Sequence, residues 1–214
     1  MKKFVIWGCA GHAKVVASLI RSQGGIVVAL FDNRDVPSIL PDVPVFRGSE
    51  GFYAWLQKAG DVSNVIGIVA IGGDRGADRI QIQKMFVNSG LKLESLIHST
   101  AFVCDTASLG KGTQILGQAV VAADSVVGEV CIINHKASVD HECVLGDGVH
   151  LAPGATLCGC VYLGNNVMIG AGAVVLPRLK IGANTVVGAG AVVTKDLPSD
   201  VIVAGCPARI IRSI

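Results

Sequence analysis

From Ile97 onward the chain divides into rows of six, and every row opens on an aliphatic residue: Ile97, Val103, Leu109, Ile115 and so on to Val187 and Val193. Seventeen successive rows keep this register. The fifth place is restricted too, running Ala101, Ala107, Thr113, Ala119, Ser125, Cys131, Ala137, Cys143, Val149, Ala155 and onward to Leu197, all small or apolar. A period of six matches neither an amphipathic helix nor an alternating strand, and it predicts a parallel β-helix built from short strands and turns. Each row is then one flat side of a prism. Its first residue points into the narrow axis, and Gly, Asp and Asn supply the corners, as in Leu145-Gly-Asp-Gly and Ile169-Gly-Ala-Gly. With three sides per coil, residue i lies above residue i+18, about 4.8 Å away along the axis. Columns of neighbours can therefore be read from the sequence.

The first 96 residues follow other periods. Phe4 to Trp7 reads as a buried strand, Gly8-Cys-Ala-Gly-His12 as a tight turn and Ala13 to Ser22 as a helix. Ile26 to Phe31 and Asn64 to Ile71 read as further strands, and Asp78 to Asn88 as a further helix. Alternating β and α elements imply a small parallel sheet. The expected fold is thus an α/β Rossmann-like N-terminal domain over residues 1–96, followed by a β-helix of hexapeptide repeats with a C-terminal tail over 97–214. The boundary falls near Ser95 to His98.

Charge and composition narrow the partners. Eighteen basic and 16 acidic residues give a net charge of +2, scattered along the chain, so neither nucleic acid nor an anionic membrane is an expected partner. Every apolar run is interrupted well before the roughly 18 residues that would span a bilayer. Phe4 to Trp7 is too short for a signal-peptide core, and a cytoplasmic location is expected. The seven cysteines are odd in number and two of them, Cys131 and Cys143, occupy the fifth place of a row, which reads as reduced, packed thiols.

The columns also expose candidate chemistry. His141 stands between Ala123 and Gly159, small neighbours that leave room for a ligand, and Asp140 and Glu142 flank it. A carboxylate bonded to the imidazole orients the ring and favours its use as a base. Asn134 shares a column with Ala152, Gly170 and Gly188. The N-terminal turn holds Gly8 and Gly11 without a full G-x-G-x-x-G, yet a helix start after a first strand is suited to an anion.

Three stretches carry a resemblance over essentially the whole chain: Val139-Asp-His-Glu-Cys-Val-Leu-Gly, His150 nine residues after His141, and Gly8-Cys-Ala-Gly-His-Ala-Lys-Val-Val. They resemble the sugar-nucleotide acetyltransferases, among them the bacillosamine-pathway and perosamine N-acetyltransferases and the NeuD-type sialic acid O-acetyltransferases. The resemblance implies a left-handed β-helix, a homotrimer, and acetyl-CoA in the groove between neighbouring chains. It implies His141 as general base, Glu142 as the carboxylate that increases its basicity, and Asn134 lining the same pocket. Cofactor contacts would fall at His150, at the backbone of Gly159, and at Ala171 and Ala189. The last two lie one coil apart, as a pantetheine arm along the axis requires. The loop Ala10, Gly11 and His12 would hold the nucleotide of a nucleotide-linked sugar, with Asp32, Asn33 and Gly72 beside it.

The sequence departs from these relatives after Gly72, where Gly73-Asp-Arg-Gly-Ala-Asp-Arg79 reads as an insertion. Gly205-Cys-Pro-Ala-Arg resembles the ending common in hexapeptide acyltransferases, with Cys206 at its variable place. Acetyl transfer to an amino group leads, with O-acetylation of sialic acid or another sugar as the alternative. A β-helix zinc enzyme of carbonic anhydrase type would draw on His135, His141 and His150. These occupy row places three, three and six with no pair one coil apart, so no metal is expected. An inactive binding scaffold is disfavoured, because base and carboxylate are both present.

Overall fold

The computed structural model describes residues 1–214, and its contacts separate two units: residues 1–72 with 81–94, and residues 73–80 with 95–214. No helix is long and apolar enough to cross a membrane.

The first unit is a four-stranded parallel sheet in the order β3-β2-β1-β4, from β1 (Lys3–Trp7), β2 (Ile26–Asp32), β3 (Val45–Arg47) and β4 (Val65–Val69). Strands β1 and β4 are buried almost throughout, which demands the continuous apolar runs seen there. Helix α1 (Gly11–Ser22) buries Ala13, Val16, Ala17 and Ile20, the helical spacing of one face. It starts two residues earlier than the pattern predicts.

Two elements are not marked by the pattern at all. Strand β3 has only three residues, and helix α2 (Gly48–Ala59) opens on Gly-Ser-Glu-Gly, a poor helix former. Packing overrides propensity: α2 buries Phe52 and Trp55 against Phe31, whose ring centroid lies 5.2 Å from Phe52 and 5.6 Å from Trp55. Trp7 of β1 and Phe86 of helix α3 (Gly76–Asn88) complete this aromatic core. At the end of β1, Gly8 has φ +116°, and a Cβ there would lie 2.5 Å from the Ala70 carbonyl oxygen. Only glycine lets the turn after β1 run so close to the chain leaving β4.

The second unit is the β-helix. Two-residue strands pair in parallel at a separation of 18, giving three faces. One face runs through Phe102, Val120, Ser138, Thr156, Val174 and Val192, and a second through Ser108, Val126, Val144, Tyr162 and Lys180. The third runs through Leu96, Gln114, Ile132, His150, Met168 and Val186. The first place of each row is buried from Ile115 to Val193. At the N-terminal end the axis opens, leaving Ile97 38% exposed.

The fifth place also points inward, and its polar members up to Cys143 are bonded by one rule, whereas the Thr185 hydroxyl donates to the Pro198 carbonyl, 13 residues on, at 2.7 Å. Thr113 and Ser125 hydroxyls donate to the carbonyls of Gly128 and Asp140, 15 residues on, at 2.9 and 2.8 Å. Cys131 and Cys143 thiols do the same to Gly146 and Cys158, at 3.2 and 3.3 Å. Burial pushes these two thiols up to about 12 and about 11. They therefore pack and bond as serine does and are poor nucleophiles.

The fourth place is the corner, and it takes the left-handed conformation in every coil from Gly112 to Gly190. Glycine fills some of these corners. Others carry side chains, including Glu142 (φ 56°), Cys160 (φ 62°) and Asn166 (φ 58°), each at a steric cost that the paired strands on either side offset. At the C-terminus Val201–Ala204 adds to the third face beside Val186 and Val187, and Arg209–Ser213 folds back antiparallel on it. Gly205-Cys-Pro-Ala forms the turn between them, with a cis peptide before Pro207.

Candidate active site

The corner between the first and second faces presents His141 and Glu142 side by side. The His141 Nδ1 atom lies 2.9 Å from Glu142 Oε2. An ionised carboxylate only accepts, so Nδ1 carries the hydrogen and the neutral ring keeps its lone pair on Nε2. The bond from His141 holds the Glu142 carboxyl below the usual range, with a smaller contribution from the Cys160 thiol. Both side chains are more than half exposed, so the pair adds little to stability and acts by orienting the ring. Asp140, the other flanking acid, has a different role: its Oδ1 accepts the His141 backbone N–H at 2.8 Å and fixes the corner.

Gly159, one coil on, forms a bare shelf under the ring. A Cβ built on it would lie 2.4 Å from His141 Nε2 and 2.5 Å from Cε1. The ring thus occupies the space that any side chain at 159 would need. Cys160 is brought to the same corner by the 18-residue rule, its Sγ 3.6 Å from Glu142 Oε2. Burial and the neighbouring carboxylate push this thiol up. Sequence reasoning did not single out Cys160, although its place one coil from Glu142 was there to be read.

Asn134 occupies the corner between the third and first faces, not that of His141. Its Nδ2 lies 3.3 Å from His150 Nε2, while its Oδ1 accepts from the backbone N–H of His135 at 2.8 Å and faces His135 Nδ1 at 3.0 Å. His150 is buried, and its Nδ1 faces the Gly73 carbonyl at 3.1 Å. Ala171 and Ala189 are exposed on Asn134's corner, in the column that also holds His135 and Pro153, linked by bonds from Gly154, Gly172 and Gly190 to the carbonyls one coil below. One chain therefore gathers the sequence-predicted residues of the repeat into two groups on two edges: His141, Glu142 and Gly159 on one, and Asn134, His150, Ala171 and Ala189 on the other.

The third edge holds the segment that reads as an insertion. Arg79 is fully buried and donates to the carbonyls of Val130 at 3.2 Å and Gly148 at 2.5 Å, and the Ala77 N–H donates to Asn166 Oδ1 at 3.1 Å. Burial lowers the Arg79 guanidinium to about 10. No pattern marked this arginine, because a charged residue in the first turn of a helix normally faces water.

In the first unit Ala10 precedes α1 in extended conformation without capping it by a side chain, and a helix start after a strand suits an anion. Ala10, Gly11, Lys14, Arg34 and Ser38 line a cleft of about 410 Å³ there. His12 sits in the same first turn. Asp32 is buried at the end of β2. Its carboxylate accepts the Cys9 N–H at 2.9 Å and the Arg34 side chain at 3.0 and 3.1 Å. Burial opposes its charge, but the bonds from Arg34 and Cys9 prevail and lower it. Asn33 lines a separate cleft with Arg47 and the start of α2, and Gly72 lies three residues past β4.

Two family models match, the PglD N-terminal domain over residues 3–85 and the bacterial transferase hexapeptide (six repeats) over 160–195. A variant of perosamine N-acetyltransferase from Caulobacter crescentus, solved in complex with CoA and GDP-perosamine, is 37% identical, with a TM-score of 0.89 over 99% of this chain and 97% of that one. The chain belongs to the sugar-nucleotide acetyltransferases. The acetyltransferase domain of PglB from Neisseria gonorrhoeae FA1090, in complex with acetyl coenzyme A, is 35% identical with a TM-score of 0.87, over 98% of this acetyltransferase and 99% of the domain. WeeI from Acinetobacter baumannii AYE is 26% identical with a TM-score of 0.83, over 97% and 99% of the two chains.

Proposed function

We propose that the protein transfers the acetyl group of acetyl-CoA to the amino group of a nucleotide-linked amino sugar, with His141 as general base. The observation that carries this reading is the His141–Glu142 pair, which holds the proton on Nδ1 and leaves the lone pair on Nε2, beside Gly159. The complexes of the 37% and 35% identical relatives support the cosubstrate and the substrate class. The acceptor amine attacks the thioester carbonyl directly while Nε2 takes its proton. The tetrahedral oxyanion faces a backbone N–H, for which Gly159 is the candidate, and collapse expels CoA thiolate, which is protonated as it leaves. No acyl-enzyme forms. Base catalysis of this kind contributes about 10² to 10⁴ in rate, and positioning supplies much of the rest.

The cofactor column is proposed as Ala171 and Ala189, with Asn134 lining the groove and His150 reaching it through Asn134. Because base and column stand on different edges of one prism, a complete site requires edges of two chains, which supports a homotrimer. The outward column Val126, Val144 and Tyr162, 40 to 49% exposed, offers an apolar surface for such contact. In the first unit the α1 N-terminus, with Lys14 and Arg34 beside it, suits the phosphates of the nucleotide. Asp32 holds this loop in shape, and Asn33 and Gly72 remain candidates for contacts to the rest of the substrate.

Incubation with acetyl-CoA and a panel of UDP-, GDP- and CMP-linked amino sugars, read by mass spectrometry, tests the reading. One amino sugar gaining 42 mass units, the acetyl increment, is expected at about 10 s⁻¹, a median turnover for enzymes. Acetylation confined to hydroxyl groups would overturn it.

A further inference from the structure

The corner of the base carries a thiol that acetyl transfer does not use. His141, Glu142 and Cys160 each offer one ligand atom there, and these three atoms lie within 4.8 Å of one another. We propose that His141 Nδ1, Glu142 Oε2 and Cys160 Sγ form a three-ligand site for a zinc-type divalent cation, whose occupation switches the base off. The proposal rests on His141 being the base.

Nitrogen, oxygen and sulfur together are a donor set that suits zinc. Zinc bonds of about 2.0 to 2.3 Å in tetrahedral array place donors about 3.3 to 3.6 Å apart. The Cys160 Sγ to Glu142 Oε2 separation is already 3.6 Å, and the His141 Nδ1 to Glu142 Oε2 separation of 2.9 Å must open by about half an ångström. The third separation, His141 to Cys160, is no more than 4.8 Å and must close by about 1 Å, and both movements are within reach of side chains that are exposed or half-buried. Glu142 and Cys160 occupy equivalent left-handed corners one coil apart, so their side chains leave the backbone in similar directions. The fourth position faces solvent. Cys131 and Cys143 do not compete, since their thiols are bonded inside the prism.

The consequence for the base follows from counting protons. Binding replaces the Cys160 S–H proton, which goes to water. The Nδ1 lone pair bonds the metal, so the single proton of the neutral ring sits on Nε2, which becomes a donor and cannot accept the amine's proton.

Zinc ion itself is the probe, with bound metal counted by competition against a chromophoric indicator on the full-length protein. The wild type should bind one equivalent more than Cys160→Ala. Saturating zinc should lower wild-type acetylation by the about 10² to 10⁴ of a lost base, reversibly on chelation. Zinc-free Cys160→Ala should acetylate as the wild type does and resist zinc. Cys160→Asn serves as a second variant, because Asn166 and Asn184 already occupy this kind of corner. Equal zinc counts in the wild type and both variants would overturn the site. Zinc held by Cys160 without loss of rate would overturn the switch. Failure of the zinc-free wild type to acetylate any amino sugar would instead defeat the proposed function, and the zinc count would still decide the site.

Discussion

Alanine at Gly159 tests the geometry of the base with the smallest possible addition, one methyl group. Its Cβ would lie 2.4, 2.5 and 3.0 Å from Nε2, Cε1 and Cδ2 of His141, whereas carbon contacts ordinarily sit at about 3.5 to 4.0 Å. The imidazole must retreat by about 1 Å or more. The backbone can accept the change, since the left-handed residue of this corner is Cys160, and Ala123, Ala171 and Ala189 occupy the equivalent third place in other coils. The stability change should therefore stay within about 1 kcal/mol. The kinetic effect is larger: a reacting group misplaced by about 1 Å can cost about 10² in rate, or about 2.7 kcal/mol of transition-state stabilisation. The assay follows acetylated product by mass spectrometry, with thermal unfolding and CoA calorimetry on the same protein. A stable Gly159→Ala enzyme that binds CoA and keeps the wild-type kcat would refute the placement of the reaction over this shelf.

Glu142→Gln removes a carboxylate that its bond from His141 keeps ionised below the usual range. The variant can no longer hold the imidazole through a charge-assisted bond, so the plateau of the rate profile should fall, by less than on removing the base. An unchanged profile would show that the pair is not part of catalysis. Asp32→Asn acts on the first unit. The Asp32 carboxyl is lowered on folding, so its contribution to stability is fully present above the unfolded value near 3.8 and is lost as pH falls through the lowered folded value. The variant should be about 1 to 3 kcal/mol less stable at pH 7, with the gap closing in that acid window, as thermal melts across pH would show.

The repeat was legible because its period fixes both burial and neighbours. Once Ile97 is placed first in its row, the inward Val139 and Leu145 and the His141–Gly159 stacking follow by counting, and the strands pair at that separation. Counting also gave the column of Ala171 and Ala189. The 30 residues between His141 and Ala171, not a multiple of 18, already put that column and the base on different edges. Helix α2 escaped because its stability comes from Phe52 and Trp55 meeting Trp7 and Phe31, contacts distant in sequence. The place of residues 73–80 escaped for a similar reason. Arg79 is buried only because the carbonyls of Val130 and Gly148 receive it, and no local pattern announces a backbone acceptor more than 50 residues away.

The central claim, that His141 is the base for acetyl transfer to a sugar amine, is tested most directly by His141→Asn. Steady-state turnover on whichever nucleotide-linked amino sugar the wild type accepts should be measured beside calorimetric CoA affinity. The corner tolerates the change, since His141 is half exposed and asparagine keeps a polar group beside Gly159. The account predicts unchanged CoA affinity and thermal stability, with kcat lower by about two to four orders of magnitude. A folded His141→Asn enzyme that turns over at the wild-type rate at neutral pH would contradict it.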